Sequence, residues 1–127
     1  MDRRDQKFSV TDRLKSFKYA FSGIRLFFVE GHNARIHLLA AVLVIAISFY
    51  YNISHLEWMA ILFAVALVWV TEMINTALET LSDVVSPVHH PKIKIVKDIA
   101  AGAVLIAAVA AVIVALLIFL PRLFPGV

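Results

Sequence analysis

The chain contains no cysteine, which excludes disulfide bonds, thiolate metal sites and a cysteine nucleophile. Charged residues are also scarce, at 17% of 127 residues. No basic stripe alternates with aromatic residues outside the apolar segments, which argues against nucleic-acid binding. Apolar sequence is abundant instead, because 61% of the residues are hydrophobic, far above the share of a soluble domain. We therefore expect a small integral membrane protein without a separate soluble catalytic domain.

Three apolar runs predict three membrane-spanning helices, at about residues 31–53, 56–82 and 98–120. The first run reaches spanning length only if its helix begins near Gly31 and includes His37 and other polar residues. The third run is rich in alanine, which permits close helix packing, and we expect it to end at Pro121. The predicted fold is an all-α integral membrane domain covering residues 1–127.

The basic residues predict the orientation of the chain. Seven of the twelve lysines and arginines precede the first span, none lies between the first two spans, and Lys92, Lys94 and Lys97 lie between the second and third. By the positive-inside rule, the N-terminus and the second connection face the cytoplasm. No signal peptide is expected, since the first thirty residues are charged and amphipathic.

The segment at about residues 11–28 has helical periodicity before the first span. Its apolar residues recur every three or four positions and are flanked by basic ones: Leu14, Phe17, Phe21, Ile24 and Phe28. This pattern predicts an amphipathic surface helix on anionic headgroups. Two interpretations remain open, a simple membrane anchor or a roof over a site at the membrane surface.

A polar stripe interrupts the cytoplasmic end of the second span. Glu72, Asn75, Glu79 and Asp83 follow offsets of 0, 3, 7 and 11 residues, so they return to nearly one helix face over about 16 Å. A carboxylate at membrane depth costs roughly 2.5 kcal/mol or more. Such groups usually line a bundle interior and serve an ion, a proton or a reaction.

The stripe allows several chemistries. Its two glutamates can share a divalent cation, or Glu72, the deeper one, can act as a general base while Glu79 binds metal. Asn75 can orient a phosphate or a metal-bound water. Alternatively, the acids form salt bridges to Arg35, Lys97 or other helices. We favour a functional role for the two glutamates, because structural pairs in a membrane are replaced by leucine at lower cost. For Asp83 both interpretations stay open.

Two further groups follow the stripe. We expect Lys97 and Asp98 to open the third helix, where Asp98 suits the helix dipole and Lys97 can hold a phosphate. His89 and His90 are adjacent, so they do not share a helix face, and loop histidines are expected rather than a metal pair.

The motifs E-M-I-N-T-A-L-E-T-L-S-D, H-H-P and V-K-D-I-A-A-G-A-V together resemble the prokaryotic diacylglycerol kinase and undecaprenol kinase family. The resemblance covers about residues 17–120 and includes S-F-K-Y-A-F-S-G-I and N-A-R-I-H. The long, fixed spacing of E-x-x-N-[ST]-A-x-E-x-x-x-D makes it specific. The family has no Walker loop, and this chain has none either.

The resemblance implies a homotrimeric kinase of the bacterial inner membrane that moves the γ-phosphate of ATP onto a lipid hydroxyl with Mg²⁺. By position, Glu72 resembles the general base beside the lipid, and Glu79 resembles a ligand of Mg²⁺ and nucleotide. The remaining ATP-site positions are Tyr19, Asn75, His89, His90, Lys97 and Asp98. The remaining lipid-site positions are Asn33, Arg35 and Ala101.

One position departs from the family pattern. Gly31 stands where the family usually has a glutamate that helps to bind Mg²⁺, and Glu30 precedes it by one residue. Either Glu30 reaches the metal or the metal site is weaker than usual. The H-H-P and N-A-R-I-H motifs favour undecaprenol as the acceptor, with diacylglycerol as the alternative. A more distant alternative is a small proton- or cation-coupled membrane protein, which would require no nucleotide.

Overall fold

The computed structural model describes residues 7–126, and their regular structure is entirely helical. The four helices are α1 (Val10–Glu30), α2 (His32–Tyr50), α3 (His55–Val85) and α4 (Pro91–Leu123). Helices α2, α3 and α4 are each long and apolar enough to cross a membrane, which confirms the predicted all-helical membrane class. The chain forms two compact units, one ending at Gly31 and one beginning at His32. The limits predicted for the spans stay predictions, since helix ends do not mark a membrane boundary.

Helix α1 makes up the regular structure of the first unit and contains the predicted amphipathic segment. Ser9 caps it, accepting a hydrogen bond from the Asp12 backbone N–H at 3.3 Å, and Asp12 itself suits the positive end of the helix dipole. The helix ends where the Gly31 N–H donates to the Phe27 carbonyl. Most of its apolar side chains are exposed, so this helix presents a large apolar surface.

A tight connection joins α2 to α3. Asn52 adopts a left-handed backbone conformation with φ of 47°, which asparagine tolerates better than most residues. Ser54 and Glu57 then form a capping box: the Glu57 N–H donates to Ser54 Oγ, and the Ser54 N–H donates to Glu57 Oε2. This reciprocal pair explains why α3 begins at His55.

The end of the bundle near this connection is held by an ion pair and an apolar cluster. The Arg122 guanidinium donates to both carboxylate oxygens of Glu57, at 3.1 and 2.8 Å, and so ties the last turn of α4 to the first turn of α3. Beneath it lies a buried cluster of Ile53, Ile61, Ile118 and Phe119.

Helix α4 extends beyond Pro121, the predicted end of the third span. The helix continues to Leu123, because a proline in the last turn removes only one backbone hydrogen bond. The Arg122 side chain also secures this turn, since it donates to the Ile118 carbonyl as well as to Glu57.

Helix α4 also begins earlier than predicted. Pro91 occupies its first turn, and the His90 ring Nδ1 caps it by accepting the Lys92 N–H at 3.1 Å. Lys97 and Asp98 are therefore the seventh and eighth residues of the helix, and they do not open it. The prediction of a phosphate site at that helix N-terminus and of a dipole role for Asp98 was wrong, because the apolar run starts later than the helix.

Within the second unit, α3 packs along α4 and against α2. An apolar groove of about 280 Å³ lies among the three helices. Small side chains leave this space: Ala40, Ala41, Ala64, Ala108, Ala111 and Ala115. His37 supplies the ionisable side chain of the lining.

Candidate active site

The polar stripe on α3 divides into a buried half and an exposed half. Glu72 is only 3% exposed and Asn75 is also buried, whereas Glu79 and Asp83 are exposed. The exposed acids lie nearer the C-terminal end of α3, which we predict to be cytoplasmic. Glu79 is therefore open to solvent, whereas Glu72 is enclosed by neighbouring helices.

Glu72 is hydrogen-bonded to a neighbouring helix. Its Oε1 lies 3.2 Å from the Nε2 of His37 on α2. An ionised carboxylate can only accept hydrogen bonds, so the histidine ring donates when Glu72 is charged. In the sequence, His37 stood out as a polar residue of the first span and as the end of the N-A-R-I-H motif, and no contact with Glu72 was predicted. The signal that points to it is an ionisable residue at membrane depth, which rarely lacks a polar partner.

Asn75 has a buried side-chain acceptor that receives no hydrogen bond. Its Oδ1 has no hydrogen-bond partner among the described residues. A buried acceptor without a partner costs about 1–3 kcal/mol, and functional sites are one place where such groups persist. The atom lies about one helical turn from Glu72 and from Glu79.

The donors on α3 fit a Mg²⁺ ion. This ion prefers oxygen ligands, takes one or two protein carboxylates, and completes its octahedral shell with waters and substrate phosphates. Carboxylates and an unpaired amide oxygen on one helix face supply such donors. The described residues contain no group of three acidic or histidine side chains close enough to enclose a metal by themselves, and Mg²⁺ with a nucleotide does not need one.

The exposed half of the site contains two ion pairs. Lys97 Nζ donates to Asp83 Oδ1 at 2.7 Å and links α4 to α3, and Lys94 donates to Asp98 at 2.5 Å within α4. Of the two interpretations left open for Asp83, the salt bridge to Lys97 is the contact observed. The side chains of Lys97 and Asp83 are 39% and 71% exposed, so this ion pair stabilises the fold by about 1 kcal/mol at most.

The remaining predicted positions lie on several elements. In the second unit, Asn33 and Arg35 are exposed on α2, Ala101 is exposed on α4, and His89 is exposed before the His90 cap.

In the first unit, Tyr19 is exposed on α1, and Glu30 is the exposed last residue of that helix. Gly31 follows with φ of −84° and ψ of 118°, an extended conformation that any residue can adopt.

Comparison with known proteins supports the predicted resemblance. The family model described as Prokaryotic diacylglycerol kinase matches residues 18–119. The undecaprenol kinase of Bacillus subtilis (strain 168) is 38% identical over 123 residues, which cover 97% of this chain and 100% of that protein.

Two diacylglycerol kinases are also similar. That of Synechocystis is 43% identical over 114 residues, covering 87% of this chain and 63% of the relative. That of Escherichia coli (strain K12) is 27% identical over 100 residues, covering 79% of this chain and 82% of the relative. Because the family match spans most of the chain and includes the whole acidic stripe, this protein belongs to the prokaryotic diacylglycerol kinase family of lipid kinases.

Proposed function

We propose that this protein transfers the γ-phosphate of ATP to the hydroxyl of undecaprenol in a Mg²⁺-dependent reaction. The observation that carries the proposal is Glu72, a buried carboxylate with a hydrogen bond, next to the apolar groove of a lipid kinase. The undecaprenol kinase of Bacillus subtilis, matched over its full length, supports this acceptor. Diacylglycerol is the second candidate, supported by the Synechocystis relative at 43% identity. Family membership argues against the ion-coupled alternative.

In this proposal Glu72 is the general base. It accepts the proton of the lipid hydroxyl while the hydroxyl oxygen bonds to the γ-phosphorus and the bond to ADP breaks. Burial suits this role, because the enclosed site excludes water that would otherwise compete with the lipid as acceptor.

The nucleotide is proposed to bind at the exposed half of the stripe. Glu79, together with the buried Asn75 one turn before it, would hold Mg²⁺ through side-chain oxygens, and the ion would neutralise the charge of the ATP phosphates. Lys97 offers a cation to the phosphates, and Asp98 lies beside it on α4. Tyr19, His89 and His90 complete the ATP site in this proposal, with Glu30 as a further candidate metal ligand. Asn33, Arg35 and Ala101 are assigned to the lipid site.

We further propose a homotrimer in the bacterial inner membrane with a cytoplasmic N-terminus and α1 lying on the membrane surface. The distribution of basic residues supports the orientation. The exposed apolar side chains of α1, accompanied by lysines, support its surface position. Three spanning helices alone offer little enclosure, which supports an oligomer.

The test is phosphate transfer from labelled ATP by purified protein in detergent, with undecaprenol and diacylglycerol offered separately. We expect Mg²⁺-dependent product with undecaprenol and less product with diacylglycerol. The reverse preference would favour the second candidate. No product with either lipid would contradict the kinase proposal.

Glu72→Gln tests the proposed base. This substitution keeps the size of the side chain but removes the proton acceptor, so we expect turnover to fall by 100-fold or more, on the order expected for loss of a general base. The matched control is Glu57→Gln, the same change near the other end of α3, which should retain turnover. Full activity of Glu72→Gln would exclude its role as the base.

A further inference from the structure

We propose that His37 is a positioning residue for lipid phosphorylation, which orients the Glu72 carboxylate through a hydrogen bond from its ring Nε2. The inference rests on the proposed function, in which Glu72 receives the proton of the acceptor hydroxyl. It adds His37 to the two α2 residues, Asn33 and Arg35, that the resemblance assigns to the lipid site, and it connects α2 to the base on α3.

The contact itself is the first support. His37 Nε2 and Glu72 Oε1 are 3.2 Å apart, and the side chains are 23% and 4% exposed, so the bond lies largely away from solvent. A glutamate side chain has three rotatable bonds, and a charge-assisted hydrogen bond to one oxygen restricts the rotation of the carboxylate. A general base acts only when it lies within hydrogen-bond distance of the proton that it takes. Restricting the carboxylate therefore raises the fraction of time that it spends in the reactive geometry.

The second support is the position of His37 relative to the apolar groove. The histidine lines this groove together with Val68 and Trp69, which lie on α3 about one turn before Glu72. His37 thus contacts both the carboxylate and the space that an apolar chain can occupy. A lipid alcohol has its hydroxyl at the end of a long apolar chain. Its apolar chain can therefore stay in the groove while its hydroxyl reaches the base. His37 is the polar side chain at that junction.

A merely structural link between α2 and α3 would give the same contact, so the test must separate the two roles. His37→Leu removes the donor and leaves a buried carboxylate without this partner. His37→Gln keeps an amide N–H donor of similar reach but lacks the ring. His55→Leu is the matched control, because His55 is exposed at the opposite end of the bundle and lies outside the proposed site.

The experiment measures kcat and the KM for MgATP of each purified variant with undecaprenol as acceptor. We expect His37→Leu to lower kcat about ten- to a hundredfold, the effect of one hydrogen bond to a charged group, with the KM for MgATP unchanged. His37→Gln should recover kcat to within about threefold of the unsubstituted protein, and His55→Leu should not change it.

Thermal unfolding of the same variants supplies an independent measurement. His37→Leu should lower Tm by leaving the Glu72 carboxylate unpaired, and the double variant with Glu72→Gln should recover part of that loss, because removing both partners costs less than removing one. Additive Tm changes would show that the two side chains do not interact.

The outcomes distinguish this inference from the proposed function. If the unsubstituted protein phosphorylates undecaprenol and His37→Leu keeps full kcat, only the positioning role is wrong. Equal losses of kcat in His37→Leu and His37→Gln, or a raised KM for MgATP in both, would also overturn it. If the unsubstituted protein phosphorylates neither lipid, the proposed function fails and the positioning role fails with it.

Discussion

Among the residues that the structure describes, Asn75 has a buried side-chain oxygen, Oδ1, without a hydrogen-bond partner. A buried amide oxygen that receives no hydrogen bond from a donor lowers the stability of the folded protein, whereas an apolar side chain of similar size would not. Its position between Glu72 and Glu79 on α3 explains why an amide is useful there in the proposed site.

Asn75→Leu separates these two effects. We expect the free energy of unfolding to rise by about 1 kcal/mol, because the unsatisfied oxygen is removed. The KM for MgATP should rise about tenfold through loss of an oxygen ligand. Thermal unfolding and steady-state kinetics measure the two quantities. Ser48→Ala, at a buried serine whose Oγ already donates to the Val44 carbonyl, is the control and should leave the KM unchanged. A destabilised variant with normal KM would contradict the interpretation.

Gly31 stands where the family pattern has a glutamate that helps to bind Mg²⁺. Its extended backbone accepts a side chain without strain, so Gly31→Glu tests the departure from the family pattern directly. We expect the Mg²⁺ concentration for half-maximal activity to fall roughly threefold or more, because the family pattern has a carboxylate at this position that helps to bind Mg²⁺.

The control for this change is Gly31→Gln, which adds the same bulk without a charge and should leave the Mg²⁺ requirement as it is. An unchanged requirement in Gly31→Glu would mean that Glu30 already supplies the carboxylate.

Helix α4 shows how the start of a helix changes the interpretation of the residues that follow. Because Pro91 and the His90 cap set the beginning, Lys97 lies in the helix and reaches across to Asp83 on α3. The exposed pair contributes little to stability. This leaves Lys97 available to a phosphate that competes with Asp83 for the ammonium group.

Two substitutions break this pair from opposite sides. Lys97→Met should raise the KM for MgATP about tenfold, because a charged donor to phosphate is lost. Asp83→Asn removes the same ion pair but keeps the lysine, so it should leave the KM near normal. Both should change the free energy of unfolding by less than about 1 kcal/mol. Equal KM values in the two variants would show that Lys97 does not act on the nucleotide.

For the whole molecule, the absence of cysteine allows the orientation in the membrane to be measured by labelling single introduced thiols. His55→Cys places a single thiol at the first residue of α3, and Val88→Cys places one in the connection after α3; both positions are exposed. By the positive-inside rule, a membrane-impermeant maleimide should label position 55 in spheroplasts and position 88 only after the membrane is permeabilised. The unsubstituted chain is the control and should not be labelled. The opposite pattern would invert the proposed topology and place the stripe away from ATP.

Local properties of the chain were sufficient for much of this description. The apolar runs correctly indicated three helices able to cross a membrane, and the spacing of the acidic motif indicated the family. Both signals can be read from the sequence because hydrophobicity and helical periodicity are properties of contiguous residues. The start of α4 was misjudged for the same reason, since hydropathy reports partitioning into lipid and not capping by His90.

The packing of the helices determined which polar side chains are buried and which of them are in contact. Whether a residue of the stripe is buried depends on the neighbouring helices, and so Glu72 and Glu79 differ although they share a face of α3. The contact between His37 and Glu72 joins residues 35 positions apart. No local pattern encodes it, because the rotation of α2 and α3 about their axes is set by side-chain packing along their whole contact. The acidic motif therefore indicated the kind of chemistry proposed for the site. Helix packing determined that Glu72 is the enclosed carboxylate and that His37 is its hydrogen-bond partner.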